Sequence, residues 1–515
     1  MAEQVAAARP SKALRRVLVP LALAQFICSF AGSNMNVMIN DMSKDLNTTV
    51  QGIQVAITIF LLVMAALMIP GGKLTDRYGR KRLFTFGLIV YGIGALLSAV
   101  SPGLGVLILG NSIFEGVGTA MLIPPVYILT TLMFTQVASR ARAFGAISAA
   151  GGVGAAAGPL IGGLITSALS WRWAFVFQAL IITLIVVLSR RAVVDPLPPD
   201  PTRRFDTRGA ILSAVGLILV VMGILAADNN VWLMLGLLVA GGLVLLWFFL
   251  SVRAEERAGV EPLLSTSLFH NRTSNLGLVT QNIQWLMLLG VSFTVAAYLQ
   301  VVRGYDAIQT GVIFTAATLG VLLSSLGAER FAKRRAQRTL IIAGFLGTIA
   351  GIAIFLAMVG RNPSVWAFAP GLFIIGLGVG LMLTPSVNVV QSSFGEEKQG
   401  EISGLSRSVS NLGSSLGTAI AGTILVAGIT ATPSRAYGLA MAALAVIGVV
   451  GLVAGILLPR HITPVTDTAG PGGTAAVSPS VPAPRARPDD RPDAAATTPA
   501  DARRRPGRDG EQPRP

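Results

Sequence analysis

The chain has 515 residues, 53% of them hydrophobic and 12% charged, with a mean hydropathy of +0.69 and a formal net charge of +16. Soluble domains carry about 25% charged residues, so this composition, with apolar runs of about twenty residues, excludes a string of soluble domains and places the chain in a bilayer. In a soluble protein the positive charge would suggest nucleic acid; here it lies in short loops and in the tail, where it sets topology.

The first apolar run, 17–39, follows Arg15 and Arg16. It is too long for a signal peptide, and no small-residue cleavage site precedes Asp41, so it is expected to persist as a helix. It holds the lone cysteine, Cys28, which leaves no intrachain disulfide to form. Further apolar helices are expected at 52–72, 83–101, 104–126, 143–168, 172–190, 209–227, 231–252, 275–300, 307–328, 339–359, 364–390, 402–428 and 436–458. The expected fold is therefore an all-α polytopic membrane protein with fourteen transmembrane helices. With a cytoplasmic amino terminus, all but six of the 40 Lys and Arg residues fall on the cytoplasmic side. Lys44, Arg172, Arg303, Arg361 and Arg435 fall outside, and Arg407 lies about one turn into the thirteenth helix, from where it is expected to snorkel to the cytoplasmic surface. That bias supports an even helix count with both termini cytoplasmic. Arginine-rich, Ala-, Gly- and Pro-rich usage points to a GC-rich bacterial genome, hence to the bacterial inner membrane. After Pro459 large apolar residues almost vanish, so 459–515 is expected to be a disordered cytoplasmic tail.

An internal repeat organises the helices. EGVGTAMLIPP (115–125) aligns without gaps on IGLGVGLMLTP (375–385), matching Gly116, Gly118 and Pro125 to Gly376, Gly378 and Pro385 at an offset of 260. Gly154, Gly158 and Gly162 align on Gly413, Gly417 and Ala421 at 259. Two six-helix bundles, 17–190 and 275–458, are thus expected, separated by a linker, 191–274, carrying inserted helices seven and eight, and preceded by a short segment, 1–16. Such repeats mark alternating-access transporters, with substrate between the halves near mid-membrane.

Three motifs carry chemistry. The loop after the second helix reads GGKLTDRYGRKR (71–82): Gly71 and Gly72 allow close helix approach, and Asp76 stands among five basic residues, placed to face a positive helix amino terminus. Such a contact is a latch for one state of a two-state carrier, with Gly72, Asp76, Arg77, Gly79 and Arg80 as its parts. The matching loop of the second half, ERFAKRRAQR (329–338), has Lys333 where Asp76 stands. In the fifth helix, GGVGAAAGPLIGG (151–163) puts Gly154, Gly158 and Gly162 on one face and invites a kink at Pro159. In the fourth, Glu115 lies about 16 Å along a helix rising ~1.5 Å per residue, near the middle of a ~30 Å core. No other acidic residue reaches that depth in the fourteen expected helices. A carboxyl there marks function by default; it is the candidate proton or cation site, the alternative being a neutral acid hydrogen-bonded to Asn111. Gln25, Asn34, Asn36, Asn111, Gln281, Gln284 and Asn388 are candidate cavity-lining residues, each also able to make an ordinary interhelical hydrogen bond. Trp285 and Tyr298 are candidates for stacking on substrate or for interfacial anchoring.

The 71–82 loop resembles the signature loop of the major facilitator superfamily, glycine–x–leucine–x–aspartate–arginine–x–glycine–arginine–arginine. The 151–163 segment resembles the glycine–proline motif of exporting antiporters in that superfamily. The fourth helix departs from the family's arginine–x–x–glutamine–glycine–x–glycine–alanine–alanine: SIFEGVGTA (112–120) has Ser112 for the arginine and Glu115 for the glutamine. The first helix keeps the Asn36–Val37 pair of fourteen-helix drug exporters but has Ala31 where they carry an acid. The resemblance covers 17–458 and implies a monomeric fourteen-helix multidrug:proton antiporter. On that reading protons and a small-molecule substrate cross the lipid bilayer, with no cofactor, no bound metal and no nucleic acid. It also implies amphipathic cargo, apolar or cationic, and export driven by proton entry from outside, with Glu115 carrying the proton. A nutrient symporter or uniporter of the same superfamily, and a non-transporting membrane sensor with a transporter fold, are the alternatives. No G-x-x-x-x-G-K-[ST] segment is present, which argues against ATP as the energy source, and the chain is not expected to be an enzyme.

Overall fold

A computed structural model describes residues 12–460 apart from 135–136, 196–198, 203, 228–229, 333–336, 359–363, 395–397 and 430–432. Lys333, Arg361, residues 1–11 and residues 461–515 of the expected tail lie outside the described residues. Among the described residues there is no strand, and the long helices follow the apolar runs in order.

We label them α1 (Arg16–Asp45), α2 (Val50–Tyr78), α3 (Arg80–Ala99), α4 (Leu104–Met133), α5 (Val137–Ala168), α6 (Trp171–Ala192), α7 (Thr207–Leu225), α8 (Val231–Arg257), α9 (Arg272–Val302), α10 (Ala307–Ala332), α11 (Gln337–Met358), α12 (Trp366–Gln391), α13 (Gln399–Ile429) and α14 (Pro433–Leu457). Starts are set by side-chain caps that satisfy first-turn N–H groups. Thr49 caps α2, Asp206 caps α7, Asn230 caps α8 and Asn271 caps α9. α1 outruns its apolar stretch because a 3₁₀ turn, Met35–Met38, leads into a last helical segment, Ile39–Asp45.

Twelve of these helices are long and apolar enough to cross a membrane, thirteen if the bent α5 is one span. The expected count of fourteen spans is not reached by length and composition among the described residues. The exception is α13, which has 31 residues but carries Glu401, Arg407 and many serines. It packs against α2, α9 and α14, so its polar face meets protein. The α5 bend, 42° between Arg142–Ala155 and Ala157–Ala168, falls a turn before Pro159. The proline ring clashes with the carbonyl four residues back, here Ala155, so the break appears there.

Packing repeats between the halves. α1 lies on α5 as α9 lies on α13; α4 lies on α2 and α3 as α12 lies on α10 and α11. The glycines repeat with it. A Cβ at Gly154 would meet the Phe26 carbonyl, and one at Gly413 the Asn282 carbonyl. A Cβ at Gly118 would lie 2.6 Å from the Tyr91 nitrogen, and one at Gly378 2.5 Å from that of Thr348.

The halves meet along α2–α13 and α5–α10. On the first seam Gln54 Nε2 donates to the Thr418 and Ala419 carbonyls, both at 3.3 Å, Ser415 Oγ to the Thr58 carbonyl at 3.1 Å and Ser408 Oγ to the Ala65 carbonyl at 2.5 Å. On the second, Gly163 packs on the Ala307 carbonyl and Gly311 lets α10 approach Pro159. The inserted α7 packs on α2 and α13, while α8 buries only Gly241 and Val252 and leaves Trp232 and Trp247 exposed. α8 packs on α7, and the wide apolar surface it leaves exposed is what a helix presents to lipid.

Candidate functional site

Glu115 ends a π-helical stretch of α4, Ile108–Glu115, a distortion that favours functional positions because it re-aims side chains. The residue has no accessible surface. Asn111 Nδ2 donates to its Oε2 at 3.3 Å, and Ser98 Oγ lies 3.5 Å from its Oε1. The Tyr91 hydroxyl lies near the carboxyl group and donates to Gln178 Oε1 at 2.5 Å. These partners lie on α3, α4 and α6, so Glu115 sits inside the amino-terminal half and not between the halves. Its immediate polar surroundings hold no cation. Asn111, read as cavity-lining, instead serves this carboxyl.

At the α2–α3 turn, Gly79 adopts φ +95, the left-handed region that favours glycine, and ends α2. Asp76 Oδ1 pairs with Arg80 at 2.8 Å, one turn on. Arg77 lies over the ring of its neighbour Tyr78, and Gly72 faces Pro124 of α4. The amino terminus of α3 is capped by Asp195, whose Oδ2 accepts from the Arg80 nitrogen at 2.6 Å and the Lys81 nitrogen at 3.3 Å. Asp195 went unnoticed in the sequence; the signal was a lone acid just past α6. Lys73, inside the same motif, was also passed over. Its Nζ bonds Glu401 of α13 at 2.9 Å and Glu261 of the α8–α9 loop at 3.0 Å, which ties the two halves and the insert together.

The remaining candidates divide. Gly154, Gly158 and Gly162 line the α1–α5 seam, against Phe26, Ser33 and Asn34, with Pro159 against Gly311 of α10. Asn34, Asn36 and Gln284 are buried with no partner for either side-chain atom. Gln300 of α9 bridges to α1, donating to the Asn36 carbonyl at 2.7 Å and accepting from the Asn40 nitrogen at 3.0 Å. Gln281 binds Ser406 and Ser410 of α13 within its own half. Trp285 is half-buried and Asn388 exposed. Tyr298 packs edge-on against Phe368 and Tyr437. Gln25 accepts from the Tyr127 hydroxyl at 3.3 Å. Arg407 does not snorkel away along α13: its guanidinium lies 4.9 Å from the Tyr127 ring centroid and donates to that hydroxyl, across the halves.

This arrangement, two similar helical halves with a basic glycine-rich turn between α2 and α3, has a family. The sequence model described as Major Facilitator Superfamily matches residues 21–418 and 283–488. The chain belongs to that superfamily. It is accordingly a multi-pass membrane transporter, not an enzyme. The puromycin resistance protein pur8 of Streptomyces alboniger is 30% identical over 90% of this chain and 94% of its own. The cephamycin export protein CmcT of Amycolatopsis lactamdurans is 28% identical over 90% and 95%. Among solved structures, the peptide transporter POT in complex with sulfate shares the fold at a TM-score of 0.62 and 18% identity, covering 87% of this chain and 96% of that one.

Proposed function

We propose that this superfamily transporter exports amphipathic drugs or antibiotics from a bacterial cell in exchange for protons, as a monomer in the inner membrane with both termini cytoplasmic. Export is supported by relatives named for puromycin resistance and cephamycin export. On this reading all fourteen helices span, and the halves 17–190 and 275–458 rock about the α2–α13 and α5–α10 seams while 191–274 rides on the outside. Glu115 carries the proton. The observation behind this role is its complete enclosure among Asn111, Ser98 and Tyr91 with no cation beside it. An uncompensated charge is costly in such a place, so a carboxyl kept there is one that exchanges a proton. Asp76, Arg80 and Asp195 brace the α2–α3 turn, and Lys73 with Glu401 latches the cytoplasmic side. The test is cephamycin flux in proteoliposomes under an imposed pH gradient. Wild type should accumulate cephamycin against its gradient, and Glu115→Gln should still allow downhill exchange but lose the pH dependence. Wild-type coupling in that variant would end the proposed role.

A further inference from the structure

We propose that Arg407 recognises an acidic group on the cargo, so that this transporter takes molecules bearing a carboxylate or a comparably acidic oxygen; the assignment rests on the export reading above. Arg407 belongs to α13 of the carboxy-terminal half, and its contacts belong to the other half. Tyr127 of α4 lies under the guanidinium, stacks on Phe144 of α5 at 5.9 Å and donates to Gln25 of α1. The cation therefore stands where α1, α4, α5 and α13 meet.

Its charge has no counter-ion. Among the described residues no carboxylate pairs with Arg407, and of its five N–H donors only one is engaged, by the Tyr127 hydroxyl. The side chain is half-buried, and none of its nitrogens is both buried and unpartnered, so the donors that Tyr127 does not engage keep some accessible surface. Glu115, the deep acid of α4, is held by Asn111 and Ser98 in its own half. A guanidinium within a membrane span is costly without a partner, and an aromatic face compensates only part of that cost. A planar donor fork left open matches a carboxylate. Gln284, which the repeat pairs with Gln25 at an offset of 259, is buried with both amide atoms unpartnered and supplies neutral hydrogen bonds in the equivalent place on α9. This proposal departs from the expectation of apolar or cationic cargo.

Two xanthene dyes of similar shape and opposite charge test this: fluorescein, which carries a carboxylate and a phenolate, and a cationic rhodamine ester. Binding to the purified full-length protein is read by fluorescence anisotropy, and flux by proteoliposomes under a pH gradient. Wild type should bind fluorescein more tightly than the ester. Arg407→Gln should weaken fluorescein binding by about tenfold or more, the cost of a lost charge-assisted hydrogen bond, and leave the ester unchanged or tighter. Arg407→Lys, which keeps the charge without the fork, should fall between. Equal weakening of both dyes in Arg407→Gln would make the residue a structural strut and overturn the proposal. A wild-type preference for the ester would overturn it without any variant. Ester flux with fluorescein neither bound nor carried leaves export standing and removes the role of Arg407. Arg407-dependent fluorescein binding with no gradient-driven flux of either dye does the reverse.

Discussion

Placing an alanine at Gly118 tests whether the close approach of α3 and α4 positions Glu115. A Cβ there would lie 2.6 Å from the Tyr91 nitrogen and 2.8 Å from both the Gly87 carbonyl oxygen and the Tyr91 Cα. Ordinary contact begins near 3.4 Å, so α3 must retreat by roughly 0.8 Å. The obstructing atoms are backbone and no rotamer change relieves them. Overpacking of this kind costs about 1–3 kcal/mol. Its repeat mate Gly378 is equally constrained, with the Thr348 nitrogen at 2.5 Å and the Gly344 carbonyl at 2.6 Å. Gly118→Ala and Gly378→Ala should therefore lower the thermal midpoint in detergent by similar amounts. They should differ in function. Tyr91, the residue displaced in the first case, reaches Glu115. Thr348 has no such partner, because the repeat mate of Glu115 is Ile375. Proton-coupled flux per folded molecule should fall in Gly118→Ala and stay near wild type in Gly378→Ala. Equal loss of coupling in both would show that the spacing around Glu115 is not what matters, and a Gly118→Ala protein as stable as wild type would refute the packing argument itself.

Reversing Lys73 to Glu sets it against Glu401 and Glu261, and Glu401→Lys sets two cations together. The pair is only partly buried and is worth no more than about 1 kcal/mol, enough for a roughly fivefold shift between two conformations. Each single variant should lower flux and weaken disulfide trapping across α2–α13, and the double exchange should restore much of both; failure of the double variant to recover would refute the clamp. Gly79→Ala forces a side chain into φ +95 and should cost about 1–2 kcal/mol, seen as a lower thermal midpoint; a neutral result would refute that backbone geometry. Asp195→Asn keeps the α3 cap but removes its charge and should cost about 0.3–1 kcal/mol, more at low salt than at high; a salt-independent loss would rule out the dipole contribution.

Much of the fold was legible because membrane insertion writes itself into composition: apolar runs appear wherever a helix faces lipid. The exception shows the limit. α13 faces protein on α2, α9 and α14, so it tolerates Glu401, Arg407 and a serine ladder that donates to α2 carbonyls; the helix was legible at 402–428, but its polarity keeps it from counting as a span by hydropathy. Glycine spacing revealed which faces pack closely, since a missing Cβ is a local property. Pairings across long sequence separations were not legible. Nothing about Asp195 in isolation says that it caps α3, and nothing about Lys73 separates it from the basic residues around it until α13 is placed opposite. Glu115 was found because a deep carboxylate is rare. Its place within one half was not, because facing direction at mid-membrane depends on a π-helical turn that shifts the register of α4.

The internal repeat separates scaffold from function more sharply than any single motif. Where the halves agree, as at Gly118 and Gly378 or Gly154 and Gly413, the shared residue fills the same steric role against the same kind of backbone. A duplicated chain needs both copies of such a seam, because each half must pack by itself. Where the halves differ, symmetry cannot explain what is kept. Glu115 faces no equivalent at Ile375, and Arg407 stands where the amino-terminal half has Ser148. Both are ionisable groups on long, largely apolar helices, where a charge is costly. One is enclosed in a polar shell inside its own half; the other stands against Tyr127 of the opposite half, with no carboxylate paired to it among the described residues. In the exchange proposed above, that division would give the proton to the first group and the acidic solute to the second.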